Sequence, residues 1–206
     1  MKEITEIEKI GKGLRYRLFV DDELFGVFEA EILAKHCLKS GQKFEDSFFE
    51  ELLIENGDYA CFNRGLLALE KSMKSEKMLV SYLKEKKYPY ACIEKAVEKL
   101  KSYGYIDDEA FCENFISSYM FSKSRRKLKY DLLSKGINDE IVEEKLDKML
   151  NDEGEAEKCF KLAEKYMKNK EFDLKNKQKL FNHLAGKGFE YGQISSVWEK
   201  LENDRN

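Results

Sequence analysis

Proline and threonine occur once each in this chain of 206 residues, as Pro89 and Thr5, and histidine occurs twice. So little of either residue excludes a proline-rich or mucin-like linker and leaves no material for a large sheet, so most of the chain must be helical. Long apolar runs are missing as well. Charged residues make up 37% of the chain and break every stretch far short of the roughly 20 apolar residues a membrane helix needs. The opening Met1-Lys2-Glu3-Ile4-Thr5-Glu6 has no apolar segment of a signal peptide, so a cytoplasmic protein without a membrane partner is expected. The five cysteines, Cys37, Cys61, Cys92, Cys112 and Cys159, never stand as Cys-x-x-Cys; they are read as small core hydrophobes and not as a disulfide framework or zinc site. There is no Gly-x-x-x-x-Gly-Lys nucleotide loop, and His36 and His183 have no second ligand at metal-binding spacing. The expectation is a protein that is not an enzyme and uses no cofactor.

What is present begins with a short β-rich segment. Ile4 to Ile10, Leu14 to Val20 and Leu24 to Phe28 are rich in β-branched and aromatic residues, with Gly11-Lys12-Gly13 and Asp21-Asp22-Glu23 as turns between them. Three strands are too few to stand alone, so their apolar face must pack on helices, predicted at Glu29 to Leu38 and Glu45 to Asn56. Asn56-Gly57-Asp58 then marks a module boundary.

Beyond it, the sequence repeats itself at offsets of 49 and 101 positions. Leu79, Leu128 and Leu180 coincide, as do Leu83, Leu132 and Leu184, then Tyr88, Ile137 and Phe189, then Ile93, Val142 and Ile194, then Val97, Leu146 and Trp198. These positions trace two helical stripes with a turn between them. Ser75, Ser124 and Asn176 are placed to cap the first helix of each pair, Lys87, Gly136 and Gly188 to end it, and Pro89, Asn138 and Glu190 to open the next. A further apolar-periodic run precedes each pair, at Ala60 to Lys71, Glu109 to Phe121 and Glu155 to Met167. The reading is therefore a mainly α protein. A β-meander with helices (1–57) precedes three tandem three-helix repeats (58–105, 106–152 and 153–206).

Net charge is only −3, yet its distribution is uneven. Lys123, Arg125, Arg126, Lys127, Lys129 and Lys135 gather on the middle helix of the second repeat, and acidic residues fill its third helix. The corresponding helices of the other repeats are also basic, with Lys77 and Lys84 in the first and Lys177 and Lys179 in the third. Stacked repeats present equivalent helices along one side, so these ten cations are expected to form a stripe suited to a phosphate backbone, with solvated surface as the plain alternative. Arginine adds the capacity for bidentate phosphate contacts. Tyr130 is expected to pack in the core, with base stacking as the alternative. Asp107-Asp108-Glu109 is read as a helix start.

The segments Ser75-Glu76-Lys77-Met78-Leu79-Val80-Ser81-Tyr82-Leu83, Lys86-Lys87-Tyr88, Gly104-Tyr105-Ile106-Asp107-Asp108-Glu109-Ala110-Phe111 and Arg126-Lys127-Leu128, followed by Lys135-Gly136-Ile137, together resemble the RecX family, bacterial regulators of the RecA recombinase. The likeness spans about residues 58 to 202, and the N-terminal meander is similar to that of RecX proteins from Gram-positive bacteria. It implies a non-enzymatic monomer that lodges in the groove of the RecA–DNA filament, inhibits strand exchange and ATP hydrolysis, and favours disassembly. Its implied partners are the RecA filament, single-stranded DNA and double-stranded DNA. Arg125, Arg126, Lys127 and Lys129 are the implied contacts to DNA or to an acidic face of the recombinase. A free-standing helical DNA-binding module and a solenoid adaptor for an acidic protein are the competing readings.

Overall fold

Asp21 and Asp22 take φ of 51° and 67°, the left-handed pair that closes a two-residue hairpin whose twist matches its strands. The hairpin joins β2 (Arg15–Val20) to β3 (Glu23–Glu29), and β1 (Lys2–Lys9) pairs antiparallel with β2. The computed structural model describes residues 1–150 and 154–204, and the chain divides into two compact units, Met1–Ile106 and Asp107–Asn206. A strand not anticipated from the sequence, β4 (Lys43–Phe44), adds to β1 and gives the order β3-β2-β1-β4. Two residues are too short for any alternation to show. Ile4, Leu18, Val20 and Phe28 are buried with Ile32 and Leu33 of α1 (Ala30–Lys35) and Phe49 and Leu52 of α2 (Asp46–Lys71).

The expected break at Asn56-Gly57-Asp58 does not occur. Helix α2 runs unbroken through it, so the expected boundary between residues 57 and 58 falls inside a helix. Asn56 is occupied otherwise: its Nδ2 donates to the Val27 carbonyl at 3.0 Å and its Oδ1 accepts from the Glu29 amide at 2.9 Å, bracketing the end of β3. The helix thereby serves two cores, the sheet through Phe49 and Leu52 and the first three-helix repeat through Cys61 and Ala68.

That repeat is completed by α3 (Glu76–Glu85) and α4 (Tyr90–Ser102). The second comprises α5 (Asp108–Tyr119), α6 (Arg125–Ser134) and α7 (Asp139–Met149), and the third α8 (Gly154–Met167), α9 (Leu174–Gly186) and α10 (Tyr191–Asn203). The repeat-matched leucines 79, 128, 180, 83, 132 and 184 are all fully buried, each contributing about 1.5–3 kcal/mol from apolar area removed from water. Lys87, Gly136 and Gly188 have φ of 64°, 89° and 93°. After each, the amides of Tyr88, Ile137 and Phe189 return to the carbonyls of Leu83, Leu132 and Leu184, which closes the helix end in a Schellman turn.

Two local expectations need correction. Ser75 and Ser124 do cap α3 and α6, accepting from the amides of Met78 and Lys127, but α9 is capped by Asp173, which accepts from the Asn176 amide at 2.6 Å. The carboxylate three residues upstream is the stronger acceptor, so the helix starts earlier. Four cysteines are buried as expected, whereas Cys37 lies exposed in the turn after α1 with φ 50°.

Candidate nucleic-acid interface

Successive residues of α6 leave its axis about 100° apart, so its run of cations cannot share one face. Arg125 and Lys129, four residues apart, turn toward α7. An Arg125 NH2 group lies 2.6 Å from both Glu143 and Asp147, and Lys129 Nζ is 2.5 Å from Glu143 and 2.9 Å from Asp139. Asp139, Glu143 and Asp147 recur every fourth residue, a spacing already visible in the sequence and complementary to the α6 pair. Hydrogen bonds from Lys129 and then Arg125 hold the Glu143 carboxyl below its usual range. Burial disfavours the Arg125 charge, but bonds to Asp147 and Glu143 outweigh it and raise the guanidinium further.

Lys123 and Lys127 converge instead on Asp131, at 2.7 and 2.8 Å. Burial would raise the Asp131 carboxyl, but hydrogen bonds from the two lysines prevail and hold it low. The same ammonium groups lie over aromatic rings: Lys123 is 4.1 Å from the Tyr119 centroid and Lys127 is 5.0 Å from that of Tyr130, while Lys135 is 5.5 Å from Phe115. Tyr130, expected in the core, is 66% exposed. It lies on the flank of α6 away from Leu128 and Leu132.

Arg126 points outward at the seam between the second and third repeats. Its Nε donates to the Gly188 carbonyl at 3.3 Å and its NH1 is 3.7 Å from Glu190. Around it, the Ser124 amide donates to the Lys187 carbonyl at 2.9 Å, Lys187 Nζ to the Ser122 carbonyl at 3.3 Å, and the Arg125 amide to Glu155 at 2.7 Å. Lys158 reaches the Lys123 carbonyl at 3.3 Å, and burial depresses its pKa. The start of α6 therefore meets the C-terminal end of α9. Lys177 and Lys179 sit toward the other end of that helix, about 12–15 Å along its axis. Lys179 is exposed, and Lys177 lies 5.5 Å from the Trp198 ring. Lys77 and Lys84 are exposed on α3 in the unit Met1–Ile106, with Lys84 5.2 Å from the Tyr90 ring.

The structure thus gathers Lys123, Arg125, Arg126, Lys127, Lys129 and Lys135 around α6, and pairs most of their charge within the second repeat. Sequence reasoning missed a further cation: Lys145 of α7 is 6% exposed, bound to Glu109 and Glu113 of α5 at 3.1 and 2.8 Å. The bonds it donates to Glu113 and then Glu109 raise its pKa. Its signal was position, since it lies between Val142 and Leu146 on the buried stripe. The other sequence-selected groups are structural. Asp107 caps α5 by accepting from the Ala110 amide, His36 Nε2 lies 2.7 Å from Glu55, and His183 stacks on Tyr166.

Family models of RecX match the chain three times in succession: the first three-helix domain over residues 61–100, the second over 107–146 and the third over 153–198. Regulatory protein RecX of Clostridium perfringens (strain 13) is 34% identical over 99% of this chain and 98% of that protein. Regulatory protein RecX of Clostridium acetobutylicum is 32% identical over 98% of each. A crystal structure of regulatory protein RecX shares the fold with a TM-score of 0.63 at 24% identity, covering 98% of this chain and 100% of that one. Among the described residues, no helix is long and apolar enough to cross a membrane.

Proposed function

The chain belongs to the RecX family of regulatory proteins, and from that premise we propose that it is a non-enzymatic regulator of the RecA recombinase. In this reading it acts as a monomer in the cytoplasm, lies in the groove of the RecA–DNA filament, and inhibits strand exchange and ATP hydrolysis. The observation that carries the reading is the unbroken succession of three family domains over a chain aligned nearly end to end with proteins named as regulatory. The physical support is valency: successive modules that each contact a helical polymer weakly gain roughly 10²–10⁴ in avidity without any tight single site. The cationic residues around α6, with Lys77, Lys84, Lys177 and Lys179, supply contacts to DNA or to an acidic face of the recombinase.

The test is steady-state ATPase of RecA on single-stranded DNA with increasing amounts of this protein. Dose-dependent inhibition is expected, and an unchanged rate at saturation refutes the proposal. Charge reversal must respect the ion pairs. Lys84→Glu with Lys179→Glu alters exposed groups that have no ion pair among the described residues and should weaken inhibition by about tenfold or more while helical circular dichroism is unchanged. Arg125→Glu would set a third carboxylate against Glu143 and Asp147 and should lower stability as well.

A further inference from the structure

Tyr103 ends α4 and Tyr105 follows the left-handed Gly104, with φ 73°, so the two side chains leave the backbone on either side of a turn. Both are surface residues, 58% and 52% exposed. Their rings meet edge to face with centroids 6.3 Å apart, and Phe62 of α2 extends the row, 6.2 Å from Tyr103 and again edge to face. Lys99, one turn before Tyr103, holds its ammonium 4.7 Å from the Phe62 centroid and 5.9 Å from that of Tyr103. It differs from the cations of α6 in having no ion pair among the described residues; its charge rests on ring faces.

The segment that carries these rings is cationic overall. Residues 58–105 carry ten basic and six acidic side chains, the largest cationic excess of any of the four segments. A groove of about 360 Å³ adjoins, lined by Phe62, Lys95 and Lys99 together with Glu31, Glu55 and Asp58. Two of those carboxylates are already bound, Glu55 by Lys35 and His36, and Asp58 by Lys95 at 2.6 Å.

From this arrangement we infer that Phe62, Lys99, Tyr103 and Tyr105 form a stacking platform for the unpaired bases of single-stranded nucleic acid, with Lys99 taking a phosphate. Tyr103 and Tyr105 are each more than half exposed, and every base offers a π-face to such rings. Duplex bases are already stacked on one another, so the platform selects single strands. The site lies in the first repeat, within the unit Met1–Ile106, and it adds to the proposed regulation a direct grip on the strand that stands or falls separately from it.

The experiment is fluorescence anisotropy of a labelled oligo(dT) of about 20 nucleotides with the full chain at low salt, with a duplex of equal length as competitor. RecA ATPase is measured on the same preparations. Tyr103→Leu with Tyr105→Leu should weaken oligo(dT) binding about tenfold or more with unchanged circular dichroism. Lys99→Gln, a surface change, should lower the salt slope by roughly 0.7. The inference is overturned if the wild-type chain does not bind oligo(dT), if it binds the duplex equally well, or if the variants bind as wild type does. Loss of ATPase inhibition with unchanged oligo(dT) binding also overturns it, because the rings would then face the recombinase. Loss of oligo(dT) binding supports it, whether or not ATPase inhibition survives.

Discussion

Asp131 gathers Lys123 and Lys127 with a carboxyl more acidic in the fold than in the unfolded chain, because their hydrogen bonds outweigh the opposing effect of burial. A carboxyl depressed in this way stabilises at every pH above its unfolded value near 4, and the contribution disappears as pH falls through the folded value. Urea unfolding of the wild type and of Asp131→Asn should therefore differ by about 1 kcal/mol at neutral pH, with the gap closing as pH falls below the unfolded value. A gap independent of pH would mean that the charge is not its source. Lys87 offers a test of the opposite sign. It occupies the left-handed position that Gly136 and Gly188 fill in the other repeats, at a strain of about 1–2 kcal/mol for a residue with a Cβ. Glycine there costs about 0.4–1 kcal/mol of unfolded-chain entropy, so Lys87→Gly should stabilise by about 0.5–1 kcal/mol, seen as a raised thermal midpoint.

At the scale of elements, the turn between α9 and α10 is both a helix end and the seat of a neighbour. A Cβ on Gly188 would lie 2.5 Å from Lys127 Cβ and press on Ser124 Oγ, whereas one on Gly104, also left-handed, would meet nothing within 4 Å. Gly104→Ala should cost about 1 kcal/mol from backbone strain, and Gly188→Ala roughly 3, because the clash also opens the seam between α6 and the α9–α10 turn. Equal losses in chemical denaturation would show that the seam carries no stability. The three repeats were legible in the sequence because their leucines, serine caps and turn glycines are local signals repeated at fixed spacing. What escaped was decided by tertiary partners. Asn56 reads as a turn residue until β3 claims its amide, and Tyr130 is exposed while Lys145 is buried because helix rotation, not residue type, decides which side is covered. The acidic spacing of α7 was in plain view, but only packing shows that it faces Arg125 and Lys129. Lys99 recurs as Lys148 and Lys200, but Tyr103 and Tyr105 have no counterpart in the other repeats, so a search for shared apolar positions does not join them to it.

At the scale of the whole molecule, valency is the testable consequence of two compact units, Met1–Ile106 and Asp107–Asn206, each built on its own buried clusters. Each unit should fold when expressed separately, judged by helical circular dichroism and a cooperative melt. In the proposed regulation both units contact the filament, and covalent linkage makes the second contact intramolecular, so the intact chain should outperform either fragment by roughly 10²–10⁴ in the concentration that half-inhibits RecA ATPase. Mixing the two fragments should not restore that potency, since mixing supplies every contact but no linkage. If one fragment inhibits as well as the intact chain, all the binding energy resides in that unit and avidity is no part of the mechanism. If the mixture matches the intact chain, the units act at independent sites and the linkage has no role in inhibition.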